Sequence, residues 1–534
     1  MKVIMNRTTV ITVATTAMLG LALIGLASCD SGSTTDTTTT TNSSAALQGP
    51  MVFVNNTGDK TLTSVGLRGD SGNVVLGTIA SAEFENVALG DMQFSEGEWV
   101  FLNLGAANKV ATIDPLTGAI PIHEANLATG TRPVHMYRDS TDGEVIWSMN
   151  DGDNAGGTLT PGDDLVNCAA QGGGSVTALH NSHLGPGGNP PFVLGTTCLL
   201  ADGHKVATFS SGAGVPKRVF VTSETAGEMA VLDNDETSAN YRKLIDRVDL
   251  CNPTNEANAA TCNDESATPL TTAFTPNNSA PHGIRWSKLT KKVYSILEGY
   301  HEIAEIDPAT LTITNTFDLA GTPYTSYGIS PDGRFLLLRG ETTTPQAIKL
   351  GVIDLGVTPP VQTDLTIPEL VGTSTGSFAT GGSSFKFSPD SNRFYLSVGN
   401  SSDPSVKKDR LFAFDSSTLT ATPPALTLLP NGEIPLLQTG RHSMDVLAQG
   451  ATGAGEAKYI VVSNTGTPGT VSIINATTNI RTQDVPVGPA PGAVLVYYLG
   501  AASAGNQATS SLTGGPKAKP SVLPERLDDH GMPE

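Results

Sequence analysis

The chain has 534 residues and a formal net charge of −20, with 38% hydrophobic, 15% charged and 5% aromatic residues and an abundance of Gly (57) and Pro (34). This balance excludes collagen-like, coiled-coil and multi-span membrane classes. The acidity excludes a sequence-independent grip on nucleic acid, which needs a Lys/Arg footprint.

Residues 1–28 read as an export signal. Lys2 and Arg7 form the positive end, and Val10 to Leu26 is the apolar stretch. The following Leu26-Ala27-Ser28-Cys29 resembles a bacterial lipobox, which implies cleavage before Cys29 and a lipid on its sulfur. The expected location is the bacterial cell envelope, on the periplasmic or cell-surface side. The membrane would be met only through that lipid. Residues 29–49 are rich in Ser and Thr, cannot bury apolar surface and read as a tether. Residues 501–534 read as a disordered polar tail, which leaves 50–500 as the folded body.

Along that body one pattern recurs. A strand-like run (Val219-Phe220-Val221, Lys292-Val293-Tyr294, Phe335-Leu336-Leu337, Tyr459-Ile460-Val461-Val462) precedes an apolar pair ending in Asp or Asn, with Thr soon after. Examples are Ile306-Asp307-Pro308-Ala309-Thr310, Phe414-Asp415-Ser416-Ser417-Thr418 and Ile474-Asn475-Ala476-Thr477. Ser330-Pro331-Asp332-Gly333 and Ser388-Pro389-Asp390 stand before the strand-like runs as tight turns. The pattern resembles the YVTN-type β-propeller repeat, which implies an all-β fold and a single ring of four-stranded blades. Eight units are expected. The irregular stretch between Asp114 and Asp233 leaves seven open. The first unit lacks an inner strand, and Ala493 to Tyr497 would supply it, so the C-terminal strand closes the ring.

Four cysteines follow Cys29. An even count in an exported chain favours disulfides, and nearest-neighbour pairing gives Cys168–Cys198 and Cys251–Cys262, one of three connectivities. No C-x-x-C-H occurs, so no covalent c-type haem is expected.

The histidines fall in register. His135, His204, His282 and His442 each sit at or just before the inner strand of a unit. Four imidazoles entering one ring could converge, and neutral imidazole is the commonest ligand for copper, iron and zinc. His180 and His183 lie between Cys168 and Cys198 and could add ligands from above the channel. Arg132, Arg285 and Arg441 stand near the same histidines and are candidates for binding an anionic substrate. The design is similar to the propeller domains of nitrous oxide reductase, thiocyanate dehydrogenase and haem-containing nitrite reductase, which use channel histidines as copper or haem ligands. That resemblance implies a metal or cofactor, copper first and iron or zinc next, with redox chemistry at the site and an electron-transfer or surface protein as partner. The alternative is a non-catalytic propeller that presents its loops to a protein or polysaccharide. No phosphate-binding loop and no serine-hydrolase elbow is present.

Overall fold

The computed structural model describes residues 50–95, 99–113, 123–152, 174–180, 191–199, 203–256, 262, 275–377, 383–399, 401–437, 442–448 and 456–497. Within them 32 strands, β1–β32 in chain order, form eight four-stranded antiparallel sheets. No α-helix occurs among the described residues.

Seven sheets are consecutive quartets. Their inner strands are β4 (Met92–Phe94), β8 (Pro133–Arg138), β12 (Lys205–Ser210), β16 (Pro281–Ser287), β20 (Tyr324–Ile329), β24 (Ser383–Phe387) and β28 (Met444–Ala448). The remaining sheet, blade one, joins the two ends of the chain. β1 (Met51–Asn56), β2 (Thr61–Gly66) and β3 (Val74–Ile79) come from the start, and β32 (Pro491–Tyr497) from the end. Met51 lies opposite Tyr497 and Val52 opposite Val496. Inner strands touch one another around the ring, β12 with β16, β28 with β32 and β32 with β4. The fold is an eight-bladed β-propeller closed by its C-terminal strand, as the repeat implied.

The burial pattern explains why these runs form blades. Strands covered by blades on both faces read as continuous apolar runs. Met51–Asn56 is buried throughout, whereas the outermost strand of blade five, β19 (Thr312–Asp318), is mostly exposed and polar. Neighbouring blades interlock through large side chains. Trp147 of blade three packs on Phe209 of blade four with ring centres 6.4 Å apart, and that core continues to Trp286 in blade five. Each such buried side chain contributes about 1.5–3 kcal/mol relative to exposure.

The repeat residues make the turns. Asp307 Oδ1 accepts the Ala309 amide at 2.7 Å, Asp354 Oδ1 the Gly356 amide at 2.8 Å, and Asp415 Oδ1 the Ser417 amide at 2.9 Å. Each closes the turn to the outermost strand as an Asx-turn. Asn475 does the same for the Thr477 amide. In the Ser-Pro-Asp-Gly turn, Ser330 Oγ accepts the Phe335 amide at 2.9 Å. Gly333 has φ +80°, and a Cβ there would stand 2.8 Å from the Lys288 nitrogen.

Strand direction defines two faces. Inner strands start at what we call the mouth face and end at the rear face. The hairpin turns just described lie at the rear. The mouth carries the connections between blades, including the long one between blades four and five. The Cys251–Cys262 disulfide lies in that connection, as expected. Cys198 is also disulfide-bonded, while Cys168, its expected partner, lies outside the described residues. Cys29, the signal, the tether and the tail also lie outside them.

Candidate ion site at the channel mouth

Three blades in succession bring a histidine to the mouth. In blades three and five the chain enters through a left-handed residue before proline, Arg132 (φ +45°) before Pro133 and Ala280 (φ +44°) before Pro281. In blade four Gly203 (φ +86°) does this just before His204, and a Cβ there would meet the Thr225 hydroxyl at 2.3 Å. These tight entries deliver His135, His204 and His282 at the start of adjacent inner strands.

The rings meet. His204 lies edge-on to His135, with ring centres 4.7 Å apart, and 5.2 Å from His282 on its other side. His135 is buried, and the other two are half-buried. Each has a carboxylate beside Nδ1. His204 Nδ1 donates to Asp151 Oδ2 at 3.1 Å, His282 Nδ1 donates to Glu298 Oε1 at 2.9 Å, and His135 Nδ1 stands 3.9 Å from Asp91 Oδ2. Such a partner holds the proton on Nδ1 and leaves Nε2 as the electron-pair donor. Burial disfavours a charge on His282. The hydrogen bond to Glu298 and the negative charges of Glu298 and Glu224 outweigh it, and its pKa is raised above the ordinary imidazole value. Among the described residues, no group of three or more His, Cys, Asp or Glu side chains is placed to hold a metal ion as the side chains stand.

The carboxylates follow a register of their own. Asn150, Ser223, Leu297 and Gly340 each pair with the first residue of an inner strand or its immediate equivalent. The next residue is acidic in every case: Asp151, Glu224, Glu298 and Glu341, in blades three to six. Aligning the ends of the second strands would have revealed this acidic arc.

The other expected site residues are placed differently. His442 belongs to blade eight, separated from blade five by blades six and seven. It is buried, with Nδ1 donating to the Ser463 carbonyl at 3.0 Å and Nε2 at 3.5 Å from Asp409 Oδ1. His180 is at the rear, not above the channel with the others. β10 (Ser175–His180) runs in the same direction as the inner strand, so Ser175 pairs with Asn150 near the mouth and His180 with Val145 near the rear. His180 takes the place of the repeat's Asp, with Nε2 3.2 Å from Glu144. Arg285 is buried and donates from Nη1 to the Ile284 carbonyl at 2.7 Å. Arg132 is exposed at the mouth. Asp91, Asp151 and Glu298 stand beside the three imidazoles. His183 and Arg441 lie outside the described residues.

No family model and no curated protein matches the chain. Among solved structures it is similar to dihydro-heme d1 dehydrogenase NirN in complex with DHE, at 14% identity and a TM-score of 0.50, over 83% of this chain and 74% of that one. It is also similar to apo AztD from Citrobacter koseri (12%, TM-score 0.46, 84% and 98% of the two chains). A third is the periplasmic gluconolactonase PpgL of Pseudomonas aeruginosa (14%, TM-score 0.46, 85% and 100%). At such identities the likeness is one of fold alone.

Proposed function

We propose that this propeller binds a transition-metal ion at its mouth through His135, His204 and His282, and that it works at the bacterial cell envelope, held there by a lipid on Cys29. The observation that carries the first part is the row of three imidazoles, each backed by a carboxylate. Two imidazoles bound to one ion at about 2.0–2.1 Å hold their ring centres about 5 Å apart. The separations of 4.7 and 5.2 Å are of that order, which supports a shared ion. The acidic arc of Asp151, Glu224, Glu298 and Glu341 favours a cation over an anion. Imidazole donors suit copper first, with zinc or iron as alternatives. Bound there, copper supplies a one-electron redox couple, which would make an electron-transfer protein the natural partner. His135, His204 and His282 hold the ion, while Asp151 and Glu298 orient the rings of His204 and His282, and Asp91 adds negative charge beside His135. The export signal and lipobox of residues 1–29 support the envelope location.

The test is the metal content of protein purified from its native host, repeated on the His135→Ala/His282→Ala variant. About one ion per chain is expected, and its loss in the variant. Wild-type protein with no stoichiometric metal, even after reconstitution with copper, zinc or iron, would overturn the reading.

A further inference from the structure

The described chain enters the ring at its rear face. β1 begins at Met51, and Met51 pairs with Tyr497, the last residue of the inner strand β32. Residue 50 therefore leaves blade one at the rear face, opposite the face that carries the three histidines. In a ring of eight, blade five stands diametrically across from blade one.

The rear turn of blade five is unlike its neighbours. Lys288, Leu289 and Lys291 are exposed at its tip, and Leu289, at 50% exposure, is among the most exposed large apolar residues described. Lys291 Nζ donates to the Ala213 carbonyl at 3.0 Å, which ties this tip to the exposed rear turn of blade four. Lys243, on the other rear turn of blade four, is exposed as well. Two of the carboxylates nearby are paired with other lysines, while Asp235 and the exposed Asp332 of the next rear turn keep their charge, bonded only to neutral donors. Glu236 holds Lys217 at 3.0 Å, Asp307 holds Lys292 at 2.6 Å, and Asp235 accepts from Thr237. Among the described ion pairs, none involves Lys243, Lys288 or Lys291. A chain of net charge −20 thus presents a small basic tip around one exposed leucine.

We propose that this tip contacts an anionic lipid surface. Basic residues near such a surface contribute about 1 kcal/mol each, and an exposed leucine adds apolar contact. The tether at blade one and the tip at blade five then hold the rear face against the bilayer from opposite rims. The histidine mouth points away from it, towards solutes and partner proteins. The tether contact rests on the lipid-anchor reading above; the tip contact does not.

The experiment separates the two. Every described strand lies within residues 51–497, and all of them belong to one compact unit beginning at Ser44. A chain starting at Ser44 therefore keeps the whole ring while lacking Cys29. Its flotation with phosphatidylglycerol-containing vesicles and with pure phosphatidylcholine vesicles at low salt measures the tip alone. Binding to the anionic vesicles only is expected, with a loss of about tenfold or more in Lys288→Glu/Lys291→Glu. Leu289→Ser should weaken it, and His204→Ala should leave it unchanged. Equal partition onto both vesicles, undiminished binding by the charge-reversed variant at an unchanged melting temperature, or equal loss in His204→Ala would each overturn the proposal. Metal uptake, which needs no vesicle, reports on the mouth independently.

Discussion

Asp151, at the end of the second strand of blade three, positions His204 of blade four. One carboxylate oxygen accepts from His204 Nδ1 at 3.1 Å, and the other accepts from the Lys205 amide at 3.2 Å. The carboxylate thus fixes both the ring and the start of the strand that carries it. Asp151→Ala should weaken metal affinity by about 10–100-fold, the usual effect of removing a carboxylate behind a ligating histidine. Calorimetric titration of variant and wild type, with circular dichroism to confirm the fold, measures it. Asp151→Asn keeps an acceptor for Nδ1–H and should recover part of the loss.

A second carboxylate motif holds the ring shut. Asp445 of blade eight accepts the Val446 amide at 2.9 Å and the Val496 amide of the closing strand at 2.8 Å, and it pairs with Lys386 of blade seven at 2.5 Å. Asp91 of blade two repeats the arrangement, accepting the Met92 amide at 2.8 Å and the Met136 amide of blade three at 3.2 Å. Asp445→Ala leaves a mostly buried lysine without its carboxylate and an inner-strand amide without its acceptor. A loss of about 2–4 kcal/mol is expected in chemical denaturation, with metal affinity at the distant mouth unchanged.

Acid should weaken the rear turns. Burial pushes the Asp354 carboxyl up, but the bidentate contact with Arg334 (2.9 and 2.8 Å) and the Gly356 amide outweigh it and hold it below the ordinary carboxylate value. Lys292 and the Ala309 amide do the same for Asp307. A depressed carboxyl contributes stability that is present above its unfolded value of about 4 and is lost as pH falls through the folded one. Melting temperature should therefore drop below about pH 4. In Asp354→Asn that slope should flatten, at a cost of about 1 kcal/mol at neutral pH. The turn itself should survive, because Asn475 already makes it in blade eight. Asp354→Ala should lose about a further 1 kcal/mol with the turn's hydrogen bond.

The ring was legible because a propeller repeats its turn chemistry. Each blade needs its own turn to the outermost strand, so Asp307, Asp354, Asp415 and Asn475 recur at one position whatever the blade packs against. The shared register of the four inner-strand histidines was legible for the same reason. What periodicity could not supply was which blades are neighbours of which histidine. His135, His204 and His282 converge because blades three, four and five are consecutive, and His442 stands apart because two blades intervene. His180 was misplaced because it was read as a loop residue over the channel. It ends a strand that runs with the inner strand and so finishes at the rear. The acids were not linked to the histidines because Asp151, Glu224 and Glu298 follow second strands, whereas the histidines mark inner strands. The two registers meet only once antiparallel pairing brings the ends together.

Titration of copper into wild type, His204→Ala and His442→Ala reads directly whether three adjacent imidazoles form one ion site. One tight equivalent is expected in wild type and in His442→Ala, and its loss in His204→Ala, whose ring stands between the other two. Three indistinguishable isotherms, or no tight site in wild type, would contradict a shared ion site.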